Sequence, residues 1–509
     1  MSARRNTPAR SFFGLVLAAT LGVAFGAPAA AQSAKTLVIA QGAGPTTLDP
    51  LREQSGPLMN IWTLVFDGLT RRDDDGNIEA ALATSWRTIS DTEWEFKLRE
   101  GVQFHNGEPF DANAVKFTLE RILDKSHASQ ALTRLSQLDS VEVVDPLTVR
   151  IRTKGPAPTL LSGLAWAFVV PPKYIQEKGD AFAAQNPVGT GPFKFVRWRQ
   201  AEFIDLVTNK AYFGTRPKID ALTVRQIPDD SARMASLLSG EAQIIVQIPP
   251  DLVKTVAEHP DSQVSSVGAL MGIVVEFDTI RGPLTDKRIR QAINYAIDKD
   301  TLVRELLARQ GQPLQGQVLT PGAFGFNPQL TAYPYDPAKA KQLLQEAGVG
   351  NGLTLTLKTP VGRYISDREI AIAVAGQLEK VGIKVEVQPI EWGVFIKDLR
   401  AGQLGPMFLI GWYNYGDATF ALTHFTSQSA FGVYQKNLKF DALVHQGQIQ
   451  IDPKARAKTY EEATTLMREE APAAFLLQLP AIYGISKKVT GFSPRADERW
   501  NLSNVDIKN

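Results

Sequence analysis

Hydrophobic and polar positions alternate along the chain with two periods, and the order in which those periods follow one another predicts the fold class. Leu353, Leu355 and Leu357 alternate with Thr354, Thr356 and Lys358, the period of two that buries one face of a strand. From Asp367 the period lengthens. Ile370, Val374, Leu378 and Val381 recur at three- and four-residue spacing, which predicts a helix that Gly382 is placed to end. Ile383, Val385 and Val387 then alternate with Lys384, Glu386 and Gln388. Strand, helix and strand in this order predict a βαβ unit with parallel strands and a right-handed crossover. The pattern runs on through a short helix at 392–399 into an apolar strand at 407–410.

The same order occurs earlier, as a strand at 219–227, a helix at 230–238 stopped by Gly240, and a strand at 242–248. Two α/β lobes are therefore expected, with the apolar run 272–277 carrying the chain across and helices at 285–297 and 301–307. Asp336 and Pro337 supply an N-cap and first residue for a further helix, whose buried face holds Leu343 and Leu344 and whose end is Gly348. More than one core is expected at 509 residues, because single cores stop growing at about 250–300 residues.

Charge and composition narrow the function. The chain has 55 Lys+Arg, 53 Asp+Glu and no cysteine. Residues 1–31 hold Arg4, Arg5 and Arg10 and no acid, so the remainder carries 52 basic and 53 acidic residues, a net of −1. That balance argues against a nucleic-acid partner. A basic start, an apolar stretch at 12–25 and Ala29-Ala30-Ala31 read as a secretory signal cleaved after Ala31, leaving Gln32 first. Arg4-Arg5 raises the twin-arginine route, but Ala3 and Asn6 favour ordinary export. The mature chain is expected to be exported and, lacking cysteine, to carry no disulfides.

Enzyme constellations are scarce. His105, His127, His259, His424 and His445 never fall at a spacing that would put two imidazoles on one helix face, and no G-x-S-x-G, P-loop or H-E-x-x-H is present. No catalytic residue, metal or cofactor is assigned. A binding crevice is better supported. Ligands of open parallel sheets lie outside the carboxyl ends of the strands. The loop after the 353 strand holds Gly362, Arg363 and Tyr364. The segment after 407–410 reads Gly411-Trp412-Tyr413-Asn414-Tyr415-Gly416-Asp417. Arg363, Trp412, Tyr413, Asn414, Tyr415 and Asp417 are the candidates there: a guanidinium for a carboxylate, a carboxylate for an amine, and rings for the apolar part.

Residues 98–110, Leu-Arg-Glu-Gly-Val-Gln-Phe-His-Asn-Gly-Glu-Pro-Phe, followed by Asp111 and a helix, resemble the hallmark segment of the family 5 extracellular solute-binding proteins. Supporting matches are Pro-Thr-Thr-Leu-Asp-Pro at 45–50, Pro-Val-Gly-Thr-Gly-Pro-Phe at 187–193, the segment 288–298 and Tyr-Pro-Tyr-Asp-Pro at 333–337. The resemblance implies an α/β two-lobed clamshell with an extra subdomain in the larger lobe, serving an inner-membrane ABC permease. It divides the chain into a signal at 1–31, larger lobe at 32–66, subdomain at 67–185, larger lobe again at 186–275, second lobe at 276–478 and a return to the larger lobe at 479–509. In peptide-binding members an acid after the Gly-Trp pair holds the peptide amine and an upstream arginine can hold a carboxylate. Trp412 and Arg363 stand in the corresponding places. The third residue after Trp412 is Tyr415, with the acid two further on at Asp417, and this departs from the peptide pattern toward the glutathione and nickel-chelate branch.

The ligand is thus expected to be a small polar or peptide-like solute. A secreted hydrolase on the same scaffold, a nickel-chelate receptor and an oligosaccharide receptor are the alternatives, the last using Trp62 and Trp412 as sugar platforms. Gly42 completes the candidate set, as a place where the backbone either approaches the ligand or turns the chain. The export reading has a direct check: amino-terminal sequencing of the secreted protein should begin at Gln32, and an intact Met1 would contradict it.

Overall fold

The computed structural model describes residues 34–54, 56–350, 352–429 and 431–508, so the signal segment 1–31 lies outside the described residues. The βαβ pattern folds as expected. Leu353–Pro360 and Ile383–Ile390 are parallel strands joined by the helix Asp367–Glu379, and Met407–Tyr413 lies parallel on the other side of Leu353–Pro360. Alternation decides which side chains are buried: Leu353, Leu355 and Leu357 face the core while Thr354 is exposed. In the other half, Thr36–Gln41 and Ala221–Gln226 pair in parallel, and Ile244–Val246 joins the far edge of Thr36–Gln41, a shorter strand than the 242–248 expected. The helix Asp230–Leu238 connects these two neighbours of the first strand.

The halves share one mixed sheet of 11 strands. Two long antiparallel strands, Ser262–Phe277 and Ala473–Ser486, cross it, pairing from Ser262 opposite Ser486 to Glu276 opposite Ala473. At one end Ala473–Ser486 pairs with Ile244–Val246, and at the other Ser262–Phe277 pairs with Met407–Tyr413. The apolar run at 272–277 is thus the end of a 16-residue crossing strand. The register shifts between Gly268 and Gly272, where the ladder passes from one half to the other. Glycine is required there: a Cβ on Gly272 would lie 2.5 Å from the Val318 carbonyl oxygen. The expected lobe limits at 275/276 and 478/479 fall inside these two crossing strands.

A separate four-stranded antiparallel sheet, ordered Ala83–Ser90, Glu93–Leu98, Thr148–Thr153, Leu138–Asp145, has its own core of Phe96, Phe104, Phe110, Val115, Leu119 and Ile151. This is the extra subdomain. Asp111 caps its helix Ala112–Leu123 by accepting from the Asn113 and Ala114 N–H groups. The Gly189-Thr190-Gly191 turn seats the subdomain on the larger lobe. A Cβ on Gly189 would meet the Val65 carbonyl at 2.0 Å, His105 Nε2 lies 3.0 Å from the Gly191 oxygen, and the Thr190 hydroxyl donates to Asp67.

One acid is buried in the middle of the shared sheet. Glu276 is 1 % exposed, and its Oε2 accepts from Trp412 Nε1 at 3.1 Å. Burial pushes its carboxyl up to about 8, opposed in part by its hydrogen bonds to Trp412 and Gln435. Between the usual 4.5 and about 8 the unfolded chain loses this proton while the folded chain keeps it, so stability falls as pH rises through that window. Glu276→Gln removes this dependence. Its melting temperature relative to wild type should be higher at pH 8 than at pH 4, and an offset equal at both pH values would contradict the buried neutral acid.

Candidate functional site

Both candidate loops leave the parallel strands at one end, but each is organised by an acid that the loop itself consumes. Asp367, the first residue of its helix, is buried and its carboxylate accepts from the N–H groups of Gly362, Arg363, Tyr364 and Arg368. This holds the backbone of the 362–364 turn and leaves the Arg363 side chain exposed. The Arg363 guanidinium lies 4.9 Å from the Trp392 ring and 5.1 Å from the Tyr364 ring.

Asp417 is the second such acid, and its expected role as an anchor for a ligand amine is corrected by its surroundings. Its two oxygens accept from Arg456 Nη1 and Nη2, each at 2.7 Å, and Oδ1 also accepts from the Thr419 N–H as the cap of the helix Ala418–Leu422. Arg456 is itself buried, donates to the Gly447 carbonyl, and is sandwiched between Phe324 and Tyr460. The carboxylate therefore fastens the 414–418 loop to the helix Pro453–Glu470.

Trp412 and Asn414 need the same correction. The strand continues to Tyr413 rather than stopping at Ile410, so successive side chains point to opposite faces of the sheet. Trp412 points into the core beside Phe408 and Phe425, stacks on His424 at 3.7 Å between centroids, and is 7 % exposed. Burial lowers His424 to about 3, so this ring is neutral at physiological pH. Asn414 is fully buried, and its Nδ2 donates to Thr320 Oγ1 and the Leu270 carbonyl. Trp62 is likewise a core residue of the larger lobe: it is 0 % exposed and its Nε1 donates to the Glu53 carbonyl. Gly42 packs beside the Arg233 guanidinium, 3.3 Å from where its Cβ would be. Trp412, Asn414 and Trp62 are thus packed inside the protein, and Gly42 is half-buried beside Arg233.

Tyr413 and Tyr415 lie on the other side of the strand end and form an aromatic pair. Their rings stack at 5.4 Å, and Phe420 meets Tyr415 edge-on. Tyr415 sits in the left-handed region at φ 45 and is followed by Gly416 at φ 75. Across from them stand residues that no sequence motif singled out. The Arg134 guanidinium lies 4.8 Å from the Tyr415 ring, and Arg72 Nη2 donates to the Tyr415 carbonyl at 3.1 Å. Trp166 lies beneath both Arg134 and Arg499, at 5.9 and 5.6 Å. Glu498, at φ 58, feels Arg499 and Arg363, and burial raises its carboxyl against both. Arg363, Tyr413 and Tyr415 are therefore the sequence candidates that the fold brings together, against Arg72, Arg134, Trp166, Glu498 and Arg499. Arg72, Trp166 and Arg499 also line a cavity of about 360 Å³ in the larger lobe.

The structural role of Asp417 has a measurable consequence. Asp417→Ala leaves the buried Arg456 without its acid, a change that costs about 3–5 kcal/mol when one partner of a buried pair is removed. Urea unfolding should show that loss, with a smaller one in Asp417→Asn, which keeps an acceptor for the Thr419 N–H. Wild-type stability in Asp417→Ala would return the carboxylate to the list of free ligand anchors.

Comparison with known proteins places this geometry. The family model for bacterial extracellular solute-binding proteins, family 5 Middle, matches residues 77–432. The glutathione-binding protein GsiB of Pectobacterium atrosepticum is 29 % identical over 490 residues, covering 93 % of this chain and 95 % of that one. Among solved structures, the periplasmic binding protein DppA from Helicobacter pylori, in complex with the peptide STSA, is 26 % identical with a TM-score of 0.77, over 93 % of this chain and 98 % of that one. AgaA from A. tumefaciens R10, in complex with agropinic acid, is 26 % identical with a TM-score of 0.76, over 93 % and 99 %.

Proposed function

Because the chain belongs to the bacterial extracellular solute-binding proteins of family 5, we propose that its two lobes close on a small polar, amino-acid-derived solute and deliver it to the inner-membrane permease of an ABC importer. The observation that carries this reading is the meeting of Tyr415, from the second lobe, with Arg134 and Arg72, both from the subdomain segment of the larger lobe. A solute seated there touches both lobes, and a ligand that contacts both favours the closed arrangement over the open one. Aromatic faces supply apolar contact and guanidinium groups supply orientation, a combination suited to a solute with both kinds of surface. On the larger-lobe side, Arg72, Trp166 and Arg499 of this cluster line a cavity of about 360 Å³ that contains no second-lobe residue, at the lower end of the range for small-ligand pockets, about 300–1,000 Å³. The relatives named for glutathione, a peptide and agropinic acid support the same solute class.

In this reading the protein is exported by residues 1–31, acts in the periplasm as a monomer and performs no chemistry on its cargo. The solute can be taken from the protein itself: mass spectrometry after denaturation identifies what copurifies. Small-angle scattering should then give a smaller radius of gyration with that solute than without it. A solute that binds without compaction, or that is converted to product, would overturn the receptor reading, and conversion would favour the hydrolase.

A further inference from the structure

We propose that the solute is an organic acid and that Arg134 receives its carboxylate, making this arginine the residue that sets the charge class of the cargo. The inference rests on the receptor reading above. It follows from how the arginines of this chain are paired. Arg121 meets Asp49 and Asp180, Arg456 meets Asp417, and Arg495 meets Asp74 and Asp497. Arg134 has no such acid among the described residues. Its Nη1 donates to the neutral amide oxygen of Gln54 at 2.7 Å, and its Nε is buried without an acceptor. Its other neighbours are the Tyr415 and Trp166 rings and a second cation, Arg499.

A buried charge without a counter-charge is costly, and the fork of a guanidinium matches a carboxylate in shape as well as sign. The position adds a second consequence. The guanidinium lies on the subdomain side of the crevice and the Tyr415 ring on the other, so an anion bound to Arg134 lies where the lobes meet, and the choice of charge becomes part of closure. The acids of this cluster are Glu498, on which Arg499 and Arg363 act, and Asp497, which acts on Arg72 and Arg499 and is itself held by Arg495. Arg72, Arg134, Arg363 and Arg499 outnumber them. The chemistry selected is an amino-acid-derived compound with at least one free carboxylate, and with more carboxylates than amines in the best case.

Calorimetry on the mature chain tests this with five probes: glutathione, trialanine, glutathione diethyl ester, trialanine amide and maltotriose. The two acids should bind, glutathione the tighter, and masking their carboxylates should weaken them by about 30-fold or more. Arg134→Gln should weaken both acids by a similar factor while leaving the masked compounds unchanged, and Arg134→Lys should restore part of the loss. Ester, amide or sugar binding as tightly as the acids would overturn the inference and leave the receptor reading standing. So would an undiminished preference for acids in Arg134→Gln. No binding by any of the five would overturn the inference as well, while the receptor reading is tested separately by the copurifying solute and the compaction it causes.

Discussion

The buried pair between Asp417 and Arg456 is the constraint on which the crevice depends. The chain leaves the Met407–Tyr413 strand through Tyr415 and Gly416, both at positive φ, and a tyrosine holds that conformation only where its surroundings dictate it. The bidentate bond from Arg456, the short bridge between Phe324 and Asp417, and the cap on the following helix supply that dictation. Replacing such a pair by apolar residues is often neutral for stability, so its value here lies in geometry: it aims the Tyr415 ring out of the second lobe. Asp367 does the same for the neighbouring loop through four backbone N–H groups. Both acids that the two loops carry are thus used in building them, and the face they present is aromatic and cationic.

The opposing face is assembled from distant parts of the chain. Arg72 and Arg134 come from the segment that carries the subdomain, Trp166 from its return, and Glu498 and Arg499 from the C-terminal stretch. Arg72 reaches over Gly416, where a Cβ would lie 2.6 Å from its Nη1, so the absence of a side chain at 416 permits the lobes to approach this closely. The contacts named here are guanidinium–ring contacts and hydrogen bonds, in contrast to the apolar core that runs through the shared sheet. That is the balance a receptor needs if its lobes are to separate when the solute is absent.

The periodic parts of this architecture were legible before any coordinates. Leu353 to Val387 reads as strand, helix and strand because the side chains there answer to one buried face, and Asp336 caps the helix that follows it as its place before Pro337 predicts. The crevice was legible only in part. Arg363, Tyr413 and Tyr415 were reached from the rule that ligands lie at the ends of parallel strands. Trp412 was misplaced because the strand runs three residues beyond its apolar run, and alternation then turns the indole inward. Trp62 belongs to a helix packed against the larger lobe's sheet, where a large ring is core. Arg134 left one local trace: it lies between Leu132 and Leu135, in a stretch where a charge has little reason to be unless it faces something. Trp166 and Glu498 left none, since what they meet is set by the fold: Trp166 meets Arg134 and Arg499, and Glu498 feels Arg499 and Arg363.

The crossing strands bear on how the protein comes into being. Ala473–Ser486 is buried along nearly its whole length and pairs with Ser262–Phe277 and Ile244–Val246, far earlier in the chain. The central strand of the sheet is among the last parts to be synthesised, and neither half has its neighbour until that strand arrives. Contacts so remote in sequence slow folding, because the loop between them must close first. A chain built this way stays unfinished while it emerges from the ribosome. Under the export proposed above for residues 1–31, late completion of the central ladder is an advantage rather than a cost, because it keeps the emerging chain open.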